Sequence, residues 1–352
     1  MEAGVAGRLL SGERGQLSTS LDTERDGPSI GCRRHDATPG LPVRCRGGAG
    51  VSRRYLRPVL LLAAIWGASY MFIKVGVRDF QPATLMSLRL VIAFVPLFVF
   101  CAVTRGGAVR AAREIASVWR AGLVLGLLSA AVPFTLVAWG EKHIDSGVAG
   151  VAQASLPLFT ALLALKFKPS ERATGQRLAG IAVGLLGVGV LTGVDPGKGW
   201  WAVAGTIAVL LSSLSYAAGG LFGQTQTQTI TGPVLAAATT LCGAIVLLPW
   251  GLSELPSHAP GWKSIASLLA LALAGTALAQ LLLFHVLRLH GAARVSLVTY
   301  LMPPFALFYG ASILGEPVRW SALAGLGLIL AGIALGSGAL AIRRRAALRT
   351  AP

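Results

Sequence analysis

The sequence predicts an all-α membrane protein of about ten transmembrane helices, arranged as two inverted five-helix repeats. Three observations carry that prediction. Hydrophobic residues make up 54% of the chain and charged residues only 13%, too little charge for a soluble domain of this length. The apolar residues fall into ten runs, at about 58–77, 82–103, 119–140, 146–167, 175–194, 200–222, 232–252, 264–287, 292–314 and 319–341. Each run approaches the roughly 20 residues that cross a bilayer core of about 30 Å. Finally, the chain echoes itself: GVAGVAQASLPLFTALLALKFKPSERATGQRLAGIAVGLLGVGVLT returns as GAARVSLVTYLMPPFALFYGASILGEPVRWSALAGLGLILAGIALGSG. Placing Glu171 on Glu316 puts Gly180 on Gly325 and Gly187 on Gly332, and Pro157 meets Pro303 after a slip of one residue.

Residues 1–52 are rich in Gly, Arg, Ser and Asp, without hydrophobic period, and are expected to be a disordered tail. They lack the apolar core of a signal peptide. Because the next methionine is Met71, inside the first run, Val43 or Val51 is an alternative start. The two repeats then occupy 53–195 and 196–342, and 343–352 is a basic tail. Breaks between runs are short and carry Pro, Gly, Asp or Arg, as turns do.

Basic residues near the span ends set the orientation. With the N-terminus inside, the cytoplasmic segments hold Arg53, Arg54, Arg57, Arg105, Arg110, Arg113, Arg120, Lys166, Lys168, Arg172, Arg177, Arg288, Arg294 and the Arg343–Arg345 run. The opposite loops hold only Arg78, Lys142, Lys198, Lys263 and Arg319. Both termini are therefore expected to be cytoplasmic. Five spans is an odd number, so the second repeat enters the membrane upside down, and a site at the interface of two such halves is the natural consequence.

Candidate site residues follow from polarity inside the spans. In the first run Trp66, Ser69, Tyr70 and Lys74 share a helical face. They form a substrate-facing wall, or else the face packs against a neighbour and Lys74 snorkels outward. Arg89 lies about 10 Å down the second span, where an unpaired cation costs at least ~2.5–3.5 kcal/mol on insertion scales. It faces a cavity, or it anchors to backbone carbonyls. Gln153 and Pro157 in the fourth run mirror Thr299, Tyr300 and Pro303 in the ninth. Those prolines free carbonyls and should bend equivalent helices beside the cavity, or serve packing alone. Tyr216 in the sixth run, with Gln280 and His285 in the eighth, complete the set. The acids, among them Asp79, Glu141, Asp145, Glu171 and Glu316, all fall in or beside breaks. A proton relay or cation site on a buried carboxylate is thus expected to be absent.

WGASYMFIKVG in the first run, ATLMSLRLVIAF with its Arg89 in the second, and the hairpins carrying LPLFTALLAL and MPPFALFYGASILGEPV resemble the EamA-type family of the drug/metabolite transporter superfamily. The resemblance runs from Pro58 to Leu340. It implies ten helices in two inverted halves, alternating access, and commonly export of amino acids or other small metabolites. The first hairpin departs from the family's usual Gly-Glu, with Ser170-Glu171 and one extra residue in KFKPSE.

Several classes are excluded. The charge of +17 sits between apolar runs rather than on a face interleaved with aromatics, so it marks topology and not a nucleic-acid partner. No HExxH, GxSxG or paired intramembrane carboxylates point to an enzyme, and no cofactor or metal is expected. Cys101 and Cys242 lie in apolar runs without CxxC spacing and read as core fillers. The expected partners are a small metabolite carrying a carboxylate or phosphate, amino-acid-like, and the lipid bilayer. A homodimer is left open, and a channel or a non-transporting sensor is the alternative function.

Overall fold

The computed structural model describes residues 53–167, 175–192, 199–290 and 292–336, and these residues are helical apart from short turns. The expectations for the tail 1–52, the loop around Glu171 and the basic tail 343–352 lie outside the described residues. The first half begins with α1 (Arg53–Gly76) and α2 (Pro82–Arg105). A short helix, α3 (Ala108–Ser117), follows. The third apolar run folds as α4 (Trp119–Gly126), a π-helical turn π1 (Leu127–Ala131) and α5 (Val132–His143). The fourth is divided into α6 (Ser146–Gln153) and α7 (Leu156–Phe167), and α8 (Gly175–Thr192) closes the half. The second half comprises α9 (Gly199–Gln226), α10 (Gly232–Ser253), α11 (Trp262–Ala272), π2 (Leu273–Leu278), α12 (Ala279–His290), α13 (Ala292–Leu314) and α14 (Trp320–Gly336).

Among the described residues, eight helices are long and apolar enough to cross a membrane, with α4–α5, α6–α7 and α11–α12 each forming one. The helices α8 and α14 contribute shorter apolar stretches, Leu178–Leu191 and Trp320–Gly336. Both α2 and α10 start with proline in the first turn, where a missing N–H leaves no helical bond unmade. Gly106, at φ 79°, ends α2 in the left-handed region and donates its N–H to Ala102 O. The α3 helix lies in the break between the second and third apolar runs. It is amphipathic, burying Ala111 and Ile115 while Glu114 pairs with Arg105 at 3.3 Å and Arg110 at 3.4 Å.

Equivalent helices of the two repeats pack on each other. A Cβ on Gly180 would stand 2.5 Å from Gly332 O, and one on Gly187 would stand 2.8 Å from Gly325 O. These are the glycines that the repeat superposes, and their crossed pairing makes α8 and α14 antiparallel. The first turns of α2 likewise meet the last turns of α10, with Thr84 Oγ1 2.9 Å from both Gly251 O and Glu254 O. Close backbone approach through small residues replaces the hydrophobic drive that lipid does not supply.

The two ends of the bundle differ. Exposed Arg57, Arg110, Arg113, Arg120 and Arg288 mark one end. At the other, Asp79, Lys142, Asp145, Glu254, Lys263 and Glu316 mix both signs. That second end also carries the exposed indoles of Trp200, Trp201, Trp250, Trp262 and Trp320, the pattern of an aromatic belt at a membrane surface.

Candidate functional site

A cavity of about 180 Å³ lies where the two repeats meet. It is lined from α1 by Trp66, Ser69, Tyr70 and Ile73, from α2 by Arg89, and from π1 and α5 by Ser129, Phe134 and Val137. Gln153 and Leu156 flank the interruption of the fourth run, Tyr216 comes from α9, and Gly275, Thr276 and Gln280 come from π2 and α12. Thr299 and Met302 of α13 complete the wall.

The wall is built in duplicate. Tyr70 and Tyr216, Ser129 and Gly275, Phe134 and Gln280, Gln153 and Thr299, and Leu156 and Met302 are five pairs, each separated by the same interval along the chain. Both π segments fall at corresponding places, bringing Ser129 and Gly275 to the cavity. A π turn shifts the helical register and leaves backbone oxygens available, which is why such turns gather at functional sites.

Arg89 is the dominant group, with 4% of its surface exposed. Its Nε donates to Thr276 Oγ1 at 2.8 Å and its Nη2 to Gly275 O at 3.4 Å, while Nη1 lies 3.8 Å from Met86 Sδ. Thr276 Oγ1 in turn donates to Leu271 O at 3.0 Å, so its lone pair faces the guanidinium. The Phe134 ring covers the cation at 4.0 Å from its centroid. All these partners are neutral, and a guanidinium has five N–H donors. Donors therefore remain for an anion entering the cavity. Beside it, the Gln153 amide has Ser212 Oγ 3.0 Å from its Oε1, while its buried Nε2 has no hydrogen-bond partner among the described residues.

Of the residues singled out from sequence, Trp66, Ser69, Tyr70, Arg89, Gln153, Tyr216, Gln280 and Thr299 line this one space. Lys74, Pro157, His285, Tyr300 and Pro303 lie outside its lining. Lys74 neither lines the cavity nor snorkels: its Nζ donates to Glu141 O at 2.6 Å and Ile144 O at 2.7 Å. His285 is exposed on α12, Tyr300 is half-buried, and Pro303 is buried within a continuous α13. The fourth run is interrupted just before Pro157, whereas the ninth is not, so the two prolines do not shape equivalent helices. Sequence reasoning missed Ser129, Gly275 and Thr276, small residues that do not stand out inside apolar runs.

It also misjudged Glu141. This residue does sit in the last turn of α5, beside a break, but its side chain is fully buried rather than solvated. The expected absence of an enclosed carboxylate is therefore corrected. Glu316 behaves differently: its carboxylate accepts from Ser146 N at 3.0 Å, Ser146 Oγ at 2.7 Å and Gly147 N at 3.2 Å. The second repeat thus caps the N-terminus of α6 in the first, where the helix dipole favours an anion.

Together these features define a multi-pass membrane protein with a largely apolar cavity, carrying one buried cation and a few polar groups, between two repeated halves. The EamA-like transporter family model matches residues 58–193 and again 203–338, and the chain belongs to that family. It is 28% identical over 297 residues to a Salmonella typhimurium protein named "Probable amino-acid metabolite efflux pump", covering 82% of this chain and 96% of that one. The Bacillus subtilis "Uncharacterized transporter YoaV" is 26% identical over 282 residues, covering 78% and 94%. The Escherichia coli K12 "Uncharacterized inner membrane transporter YedA" is 28% identical over 270 residues, covering 74% and 84%. A solved crystal structure matches 82% of this chain and 98% of its own with a TM-score of 0.59 at 19% identity, a likeness of fold.

Proposed function

We propose that the chain is a secondary transporter of ten spans in two inverted halves, with both termini cytoplasmic. Its substrate is a small amino-acid-like metabolite, anionic or zwitterionic, moved outward across the cytoplasmic membrane by alternating access. The observation that carries this reading is Arg89, a buried guanidinium in the cavity wall whose partners among the described residues are neutral groups. A buried cation gains most from a charged acceptor, and its planar fork matches a carboxylate in two-point contact. Gln153 Nε2 offers a further donor. The rings of Trp66, Tyr70 and Tyr216 suit an ammonium or an apolar side chain. The volume of about 180 Å³ falls below the roughly 300–1,000 Å³ of drug-sized sites, which favours a small metabolite. The antiparallel pairing of equivalent helices supports the inverted arrangement, and the name of the Salmonella relative supports efflux of amino-acid metabolites.

The test is counterflow of labelled amino acids in proteoliposomes. Saturable exchange inhibited by amino acids or carboxylates, and not by cationic dyes, is expected. Inhibition by dyes alone, unchanged in Arg89→Gln, would overturn the substrate reading, and non-saturable flux would point to a channel.

A further inference from the structure

The Glu141 carboxyl is the one charged-type side chain of the described bundle that is fully enclosed with neither oxygen hydrogen-bonded. It stands one helical turn beyond Val137 on α5, and Lys74 stands one turn beyond Tyr70 on α1. Val137 and Tyr70 both line the cavity. Glu141 and Lys74 thus occupy the layer that seals the cavity toward the tryptophan-rich end. Lys74 does the sealing through backbone: its ammonium bridges the Glu141 and Ile144 carbonyls at the C-terminus of α5, where the helix dipole favours a cation. The adjacent carboxyl is left without a partner. An isolated carboxylate ion in such a place costs far more than the neutral acid.

We propose that Glu141 is a proton-binding site whose occupancy closes the Lys74 end of the cavity. Closure buries the carboxyl without a partner, so the closed arrangement is compatible with the acid and disfavours the anion. When the proton leaves, the carboxylate competes with the two carbonyls for the Lys74 ammonium, and the α1 to α5 seal loses its bridge. The inference rests on the alternating-access reading above, to which it adds an ion.

The charged and titratable groups around Glu141 are few. Lys74 and Tyr70 face it from α1, Arg89 from α2 and Glu316 from the segment before α14. From α9 only Tyr216 is titratable, and α6 brings none. On its own stretch Lys142 reaches Gln81 Oε1 at 3.0 Å, His143 packs between Trp139 and Trp201, and Asp145 follows beyond the end of α5. His143 is the competing source of a pH response and serves as the control.

The experiment places spin labels at Arg78→Cys and Val318→Cys, both exposed at the Lys74 end, with the native cysteines replaced by serine, in full-length protein in nanodiscs. Distances are measured from about pH 5 to about pH 9, a range that includes buried carboxyls. With Glu141 present, the short-distance population should dominate at low pH and give way at high pH, the ratio changing at least about tenfold, which is ~1.4 kcal/mol. Glu141→Gln, a permanent mimic of the acid, should stay short throughout, and His143→Gln should keep the pH response. A pH-independent distance with Glu141 in place, or an unaltered response in Glu141→Gln, overturns the proposal. Should Glu141→Gln fail to fold, the wild-type chain is treated with dicyclohexylcarbodiimide, which modifies protonated carboxyls in apolar surroundings, and its peptides are weighed. An adduct at Glu141 that declines as pH rises supports the site; no adduct at any pH overturns it. Counterflow in the same preparation separates the two readings. Exchange with a pH-indifferent distance sinks the proton site alone, whereas a pH-dependent distance without exchange sinks the transporter reading and keeps the site.

Discussion

The two repeats share a scaffold and divide the chemistry. Counting from Pro82 and Gly232, which open α2 and α10, Arg89 corresponds to Thr239. By the interval that relates the cavity pairs, Thr276 corresponds to Ala130 and Gln280 to Phe134. The first repeat therefore supplies the cation and its aromatic cover, and the second supplies the oxygens that hold it. Duplication reproduces what a fold needs: the π turns, the glycine contacts and the paired tyrosines. A binding cavity needs polarity on one side only, because two facing guanidiniums would repel each other. The difference teaches that architecture here is symmetric and recognition is not.

The largest expected effect comes from removing the asymmetric charge. Arg89→Gln should raise the KM for a carboxylate substrate about 10- to 100-fold, since charge-assisted hydrogen bonds contribute ~1.5–3 kcal/mol. Arg89→Lys should recover only part of it, because an ammonium lacks the planar fork. Moving the charge, as Arg89→Thr with Thr239→Arg, should not restore transport, since Ala130 stands where the first repeat would need a hydroxyl. Wild-type exchange by the swapped variant would show the repeats to be interchangeable and break the comparison.

The symmetric part should respond symmetrically. Gly180→Ala and Gly332→Ala each push a methyl to within 2.5 Å of the opposing helix's backbone, and both should destabilise by ~1–3 kcal/mol. Gly327→Ala meets nothing within 4 Å and should be neutral. Recovery of folded protein after graded heating is the readout. A large cost at only one of Gly180 and Gly332 would mean that α8 and α14 do not share their contact equally.

Those glycines also show what the sequence could reveal. Hydropathy alone placed the apolar runs, because a bilayer-length run has no competing explanation, and the repeated Glu and Gly positions exposed the duplication. The amphipathic α3 escaped because its ten residues, interrupted by Arg110, Arg113 and Glu114, are too short and too charged to read as an apolar run. LLSAA and LAGTAL carry no residue that announces a π turn, so the acceptors of Arg89 could not be foreseen. Arg89, Gln153 and the tyrosines stood out because polarity in lipid requires a partner. Glu141 lies near a break in sequence yet far from water, because the helices packed around α5 enclose it.

The prolines sharpen the comparison at a smaller scale. Pro157 follows the interruption at Ala154 and Ser155 and occupies the first turn of α7, whereas Pro303 lies inside an unbroken α13. Pro157→Ala allows α6 and α7 to fuse, which would turn Gln153 away from the cavity. It should lower the transport rate several-fold with little change in folded protein. Pro303→Ala removes a helix-interior proline that costs ~3 kcal/mol in an ordinary helix, so it should stabilise the protein and change transport less. Equal losses of transport in both variants would restore the equivalence that the structure denies.

The smallest expected effect lies in the turns, where the repeats again differ. Between α1 and α2, Asp79 Oδ2 accepts the Gly261 N–H at 2.7 Å, tying that turn to the start of α11. Between α9 and α10 the corresponding turn carries no acid, and Thr231 instead meets Arg105. The Gly261 N–H, with help from Ser264 and His258, holds the Asp79 carboxyl below its ordinary value of 3.8. A carboxyl whose proton affinity is lowered by folding stabilises the fold above its unfolded value, and that contribution is lost as pH falls through the folded one. Asp79→Asn should therefore lower the Tm slightly at about pH 6, and the difference should vanish below about pH 3. Thr231→Val should show no such pH dependence, because the hydroxyl it removes carries no charge. A constant Asp79→Asn deficit across the whole range would mean that the side chain's shape, and not its charge, secures the turn.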